Sequence, residues 1–153
     1  MFHHRLTKRF IWIAVVLIVF IAIVAFLYTE TYPARVIIGG KSFQVEVVDT
    51  DYLFAKGLSE RNTLSADEGM FFVFQNPSKH GFWMKDMKFS IDIIWIDENF
   101  IINHIEKSVS PNTYPKVFNS DKDSIYVLEV LAGEAEKLDI KIGDKVKFIK
   151  YSF

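Results

Sequence analysis

Residues 10–28 read FIWIAVVLIVFIAIVAFLY, a run of 19 residues without a charge, a proline or a glycine. As a helix this run would cover roughly 28 Å, close to the ~30 Å of hydrocarbon in a bilayer. A helix on a globular surface carries a polar face, and this run has none. Trp12 and Tyr28 stand near its two ends, where interfacial aromatic residues collect. The expectation is a transmembrane helix over 10–28. The sequence that follows, AFLYTETYPARV, offers no small-x-small cleavage site, and the chain has no cysteine to carry a lipid. An uncleaved anchor is therefore expected rather than a cleaved signal peptide.

Charge sets the expected orientation. Arg5, Lys8 and Arg9 precede the run, and residues 1–9 contain no acid. These three are taken from 18 basic residues, leaving 15 against 19 acidic ones. The positive-inside rule then predicts a cytoplasmic N-terminus over 1–9, a single-pass cell-membrane protein and an extracytoplasmic remainder. That remainder is mildly acidic and has no basic stripe, so nucleic acid is not an expected partner. The lipid bilayer, reached through the helix, is the expected one. Without cysteine, disulfide bracing and thiol catalysis are both excluded.

Residues 29–34, TETYPA, are expected to be a short linker, with Pro33 ending any helix before it. Residues 35–153 are the size of one domain. VIIGGKSFQVEVV is expected to form a hairpin, because Gly39-Gly40 can supply the positive φ angles of a two-residue turn. Tyr52, Leu53, Ala55 and Lys56 fall at helical spacing, with Gly57 placed to end that helix. GMFFVF, Gly69 to Phe74, reads as a strand stopped by Asn76-Pro77. IDIIWIDENFIINHIEK reads as a second hairpin turning at Glu98-Asn99. A strand, a short helix near Ala132–Leu138 and a last strand complete the chain. The predicted class is α+β: after the membrane helix comes a β-rich domain, with a curled, barrel-like, mostly antiparallel sheet and two short helices.

The order KGLSERNTLSADEGMFFVF, FWMKDMKFSIDIIWID, YVLEVLAG and IKIGDKV resembles domain of unknown function 192, a family of small exported or membrane-anchored prokaryotic domains. The likeness runs from about Val36 to Ile149. It rests on the spacing of Gly57-Leu58, Arg61, Gly69-Met70, Phe82-Trp83-Met84-Lys85, Asp92 and Leu128-Glu129. The chain departs from the family's frequent Asn-Thr at Asp86-Met87 and from its Pro-Leu at Ser90-Ile91. The resemblance implies a compact β-rich fold and brings no reaction with it.

The charges within the apolar strands are the candidate functional groups. Alternation along SIDIIWI puts Ile91, Ile93 and Trp95 on one side and Asp92, Ile94 and Ile96 on the other. Both sides are apolar, so this strand should be covered on both faces. Glu129 interrupts YVLEVL in the same way, and Lys85 follows three large apolar residues. Buried charges need partners, so these groups are expected to pair with one another, with Arg61 or with backbone amides. Three uses compete: an ion-pair network that sets strand register, a ligand pocket lined by Trp83, Met84, Lys85 and Asp92, and acid–base catalysis by Asp92 and Glu129. The last corresponds to a small envelope hydrolase with paired carboxylates.

Arg61, directly after the first short helix, could clamp a carboxylate or phosphate with two bonds, or bridge to Glu129. The ligand-binding candidates are thus Arg61, Trp83, Lys85, Asp92 and Glu129. His80 and His104 stand 24 residues apart and no cysteine accompanies them, so neither a metal nor a cofactor is expected. Serine-nucleophile, phosphate-loop and dinucleotide motifs are missing. The sequence therefore favours a non-enzymatic binding or accessory module, meeting an envelope component or a membrane protein, over an enzyme.

Overall fold

A computed structural model of the chain describes residues 12–23 and 34–150. The chain falls into two units, Met1–Tyr32 and Pro33–Phe153. In the first, residues 12–23 form a helix, α1, with exposed side chains. Its 12 residues span about 18 Å, well short of a bilayer's hydrocarbon thickness. No helix among the described residues is long and apolar enough to cross a membrane. This corrects the expectation of a transmembrane helix over 10–28, and with it the single-pass cell-membrane localisation and the extracytoplasmic domain derived from it. The described helix is shorter, and residues 10, 11 and 24–28 lie outside the described part. So do residues 1–9 and 29–33; Ala34, expected to close the linker, is already the buried first residue of a strand.

The second unit is built on nine strands. In chain order they are β1 (Ala34–Ile38), β2 (Lys41–Val48), β3 (Glu68–Ser78), β4 (Phe82–Trp83), β5 (Ile91–Ile96), β6 (Ile102–Val109), β7 (Val117–Phe118), β8 (Ser124–Leu131) and β9 (Lys147–Lys150). Helix α2 (Asp51–Lys56) follows β2, α3 (Glu134–Lys137) follows β8, and a 3-10 turn covers Pro111–Thr113. Seven strands make one sheet in the order β6-β5-β8-β3-β2-β1-β9, and β4 pairs with β7 apart from it. Every pairing in the large sheet is antiparallel except β2 with β3.

The expected barrel-like curl needs correction too. The sheet does not close, because β6 and β9 remain its two edges, and the isolated bridge of Ile101 to Lys145, with the backbone bonds of residues 100–102 to 143–146, touches only their ends. Closure needs a continuous ladder all the way round. The four-residue β9 is paired with β1 and extends no ladder to β6.

Local chemistry explains the connections. Gly39 and Gly40, at φ 57° and 77°, turn the chain between Ile38 and Lys41, which are cross-strand partners. β3 runs past Phe74 to Ser78 rather than stopping at Asn76-Pro77. Its register with β8 shifts between Val73 and Ser78, and at such an irregularity a proline costs no ladder bond.

Alternation divides the sheet's side chains into two apolar clusters, one on each face. Phe43, Val45, Phe71, Ile94, Ile96, Leu128 and Val130 fill one face. Met70, Phe72, Ile91, Ile93, Trp95 and Val127 fill the other. Every residue of β5 is buried, as two covered faces require. Where β3 meets β8 the backbones come close. A Cβ at Gly69 would sit 2.7 Å from the Glu129 carbonyl oxygen, which is backbone and cannot swing aside. Gly69→Ala should therefore cost about 1–3 kcal/mol, read as a lower urea midpoint with an unchanged m-value. An unshifted midpoint would show that the two strands can separate freely.

Candidate functional site

On the Met70–Phe72 face, α2 and residues 80–87 leave a cavity of about 330 Å³ open to solvent. Its walls are aromatic for a simple reason. β3 alternates, so Phe72 and Phe74 project to the same face, and α2 lays Phe54 against them. Phe54 stacks on Phe74 at 4.7 Å between centroids, and the His80 ring stacks on the same Phe74 at 3.5 Å. Phe82 stands edge-on to Phe72 at 4.9 Å. Trp83 lies at the rim, 51% exposed.

The helix ends where the cavity begins. Gly57 caps α2 at φ 48° and ψ −136°, a conformation few residues with a Cβ adopt, and its amide donates to the Leu53 carbonyl. A Cβ there would stand 3.7 Å from Phe72 Cζ and 3.9 Å from Glu129 Oε2. The bare backbone thus puts the end of α2 beside the Glu129 carboxyl with no side chain between them.

Glu129 is the chemically unusual group of this cavity. It projects from β8 between Val127 and Leu131, and its cross-strand neighbours on the same face are Met70 and Ile93. Its Oε2 is buried and has no hydrogen-bond partner. Burial pushes this carboxyl up to about 8, against the opposing pull of the Arg61 charge, so it holds its proton at neutral pH.

Arg61 does form the two-point clamp that its position suggested. Its partner is Glu46 of β2, with Nη1–Oε1 and Nη2–Oε2 both 2.6 Å, and the contact to Glu129 is one of charge. Glu46 and Glu129 both neighbour Met70 across the sheet, which brings the arginine to this face.

Asp92 belongs elsewhere. Its cross-strand partner is Val130, so it points to the face opposite Glu129. It is fully buried, and its two oxygens accept from the Ser108 amide at 2.7 Å and the Ala135 amide at 2.8 Å. Each bond answers a local need. In β6, Lys107 and Ser108 together oppose Asp92, a bulge that puts Ser108 at φ 51° and takes its amide out of the ladder. Helix α3 begins at Gly133, which has no side chain to cap the first free amides, and Asp92 supplies the acceptor.

Asp92 and Glu129 therefore do not flank one cleft. Lys85 joins neither of them. Its side chain is exposed, and its carbonyl accepts from the Ser59 hydroxyl at 2.8 Å. Of the five candidates, Glu129 and Trp83 line the cavity, Arg61 acts on it through its charge, and Lys85 and Asp92 lie outside it. Met84 is buried in the apolar cluster.

His80, Gly57 and Phe54 are cavity residues that pattern reasoning passed over. The His80 ring stacks against Phe74, and burial draws the imidazole below its ordinary value despite the Asn76 carbonyl and the Asp123 charge. Nε2 lies 3.1 Å from the Asn76 carbonyl oxygen, which can only accept, so Nε2 carries the proton. No sequence signal announced that stack. His104 is partly buried and faces Glu106 at 3.3 Å. Among the described residues no group of three or more His, Asp or Glu is placed to hold a metal ion.

Residues 34–148 match the family model of domain of unknown function 192, "Uncharacterized ACR". No match is found among curated proteins. A crystal structure of a protein of unknown function from Novosphingobium aromaticivorans is 32% identical, with a TM-score of 0.70 over 75% of this chain and 83% of that one. A candidate transcription regulator from Sinorhizobium meliloti is 25% identical, again with a TM-score of 0.70, over 75% of this chain and 91% of that one.

Proposed function

The chain belongs to the family of domain of unknown function 192, and from that premise we propose that its β-rich unit is a non-catalytic binding domain that takes one small ligand into the aromatic cavity under α2. One observation carries the reading: a buried carboxyl oxygen without a partner forms part of the wall of an open cavity of about 330 Å³. Buried polar groups in folded domains are almost always satisfied, so an orphan at a cavity wall is a group whose partner arrives from outside. The volume is at the lower end of small-molecule sites, and the aromatic walls supply the apolar contact area such sites use. Hydrolysis by paired carboxylates receives no such support, because Asp92 is committed to two backbone amides on the other face.

The test is to close the mouth without touching the core. Ala55 is exposed on α2 and lines the cavity, so Ala55→Trp should fill it at little cost to folding. In a fragment screen by amide and indole chemical shifts, hits on the wild type should cluster at Gly57, Phe82 and Trp83. In Ala55→Trp they should weaken at least about tenfold, a change of about 1.4 kcal/mol. Fragments that bind both proteins equally, or a screen with no hits at these residues, would remove the cavity as the functional site.

A further inference from the structure

We infer that the ligand is an organic ammonium ion on an apolar stem, its N–H groups donating to Glu129 Oε2 and its positive charge lying among the rings of Phe54, Phe72, Phe74 and Phe82. This rests on the binding reading above and names the chemistry of the same site.

Other ionic groups near the cavity already have partners. Arg61 is clamped by Glu46, and Lys56 on the rim stands 3.8 Å from Glu60. His80 is held neutral by burial. Glu129 feels only the charge of an arginine already clamped by Glu46, and its Oε2 has no hydrogen-bond partner. A carboxylate or phosphate ligand would find the nearby cations engaged and a carboxyl group in its way. A neutral ligand could accept one hydrogen bond from the protonated acid and would leave its ionisation as costly as before. An ammonium supplies the donor and the counter-charge together, which lets the carboxyl ionise where burial otherwise forbids it. Aromatic rings add to this, since their faces carry negative charge density and hold cations even where water has been excluded. Gly57 puts no Cβ beside the carboxyl, where one would stand 3.9 Å from Oε2.

Three ligands of one shape separate the alternatives: 2-phenylethylammonium, 2-phenylethanol and phenylacetate, titrated into the full chain with shifts followed at Gly57 and Trp83. At pH 8.5 the ammonium should bind at least about tenfold more tightly than the alcohol, and phenylacetate least. Below the carboxyl's value of about 8 its affinity should fall towards tenfold for each unit of pH, because binding must then expel a proton. In Glu129→Gln the preference for the cation should vanish, while the alcohol's affinity stays within about threefold. Thermal melting of that variant at pH 5 checks that it is folded.

Equal binding of ammonium and alcohol would overturn the cation reading and leave the cavity reading standing. A cation preference that survives Glu129→Gln would overturn it as well, by moving the interaction to another acid. Failure of all three ligands to shift either residue would count against the cavity reading itself. N-acetyl-lysine methylamide serves as a second cation. Binding tighter than that of 2-phenylethylammonium supports the ammonium chemistry with a protein side chain as its source, and weaker binding supports it with a free amine.

Discussion

Glu129→Gln should leave stability almost unchanged at pH 4.5 and raise it by on the order of 5 kcal/mol above pH 8. The sign follows from linkage. In the unfolded chain this carboxyl ionises near 4.5, and in the folded domain near 8. Below pH 4.5 both states hold the proton and no difference arises. Between 4.5 and 8 the folded state binds a proton that the unfolded state has released, so wild-type stability falls by about 1.4 kcal/mol for each pH unit. Above 8 both are ionised and the loss levels off. Glutamine has no charge to bury, so the variant escapes the decline. Urea midpoints at pH 4.5, 6.5 and 8.5 for both proteins measure it. A gap that stays constant across this range would mean that water or a counter-ion already solvates the carboxyl.

Asp92→Ala should be the opposite kind of change, destabilising by about 3–5 kcal/mol near neutral pH. The substitution removes both acceptors at once and leaves the buried Ala135 amide and the part-buried Ser108 amide without these partners. The buried Ala135 donor costs its full desolvation, about 1–3 kcal/mol, and the Ser108 donor costs less because water reaches it. The bulge that holds Ser108 at positive φ then loses what stabilises it, and α3 loses its cap. Asp92→Asn keeps one acceptor and turns an amide NH₂ towards the other N–H, so it should recover less than half of the loss. Hydrogen exchange gives the diagnostic readout: protection should fall at Ser108 and Ala135 before it falls in β3 or β8. A stable Asp92→Ala domain with both amides protected would show that water had replaced the carboxylate.

These two substitutions also separate what two similar-looking acids do. In the sequence each is a carboxylate inside an apolar strand, and pairing them as catalysts was a natural expectation. The register of β5 against β8 decides otherwise, because it sets Ile93 opposite Glu129 and Asp92 opposite Val130. Side chains opposite each other share a face, so the two acids project to opposite sides of one sheet. A shift of one residue would have placed them side by side.

The hairpin at Gly39-Gly40, the helix ended by Gly57 and the two covered faces of β5 were legible from the chain alone. Each depends on neighbours within a few residues, where alternation and glycine's freedom at positive φ act directly. Arg61's readiness to clamp a carboxylate was legible for the same reason; the identity of the carboxylate was not. The apolar run at 10–28 misled because hydropathy measures what a segment avoids and says nothing about how far a helix extends. What only the tertiary structure decided was which groups meet: Glu46 with Arg61, His80 with Phe74, Asp92 with amides from β6 and α3, and Glu129 with an open cavity and no partner. Those pairings join residues from 6 to 43 positions apart, and strand register together with packing across the sheet, rather than any local preference, brings them into contact.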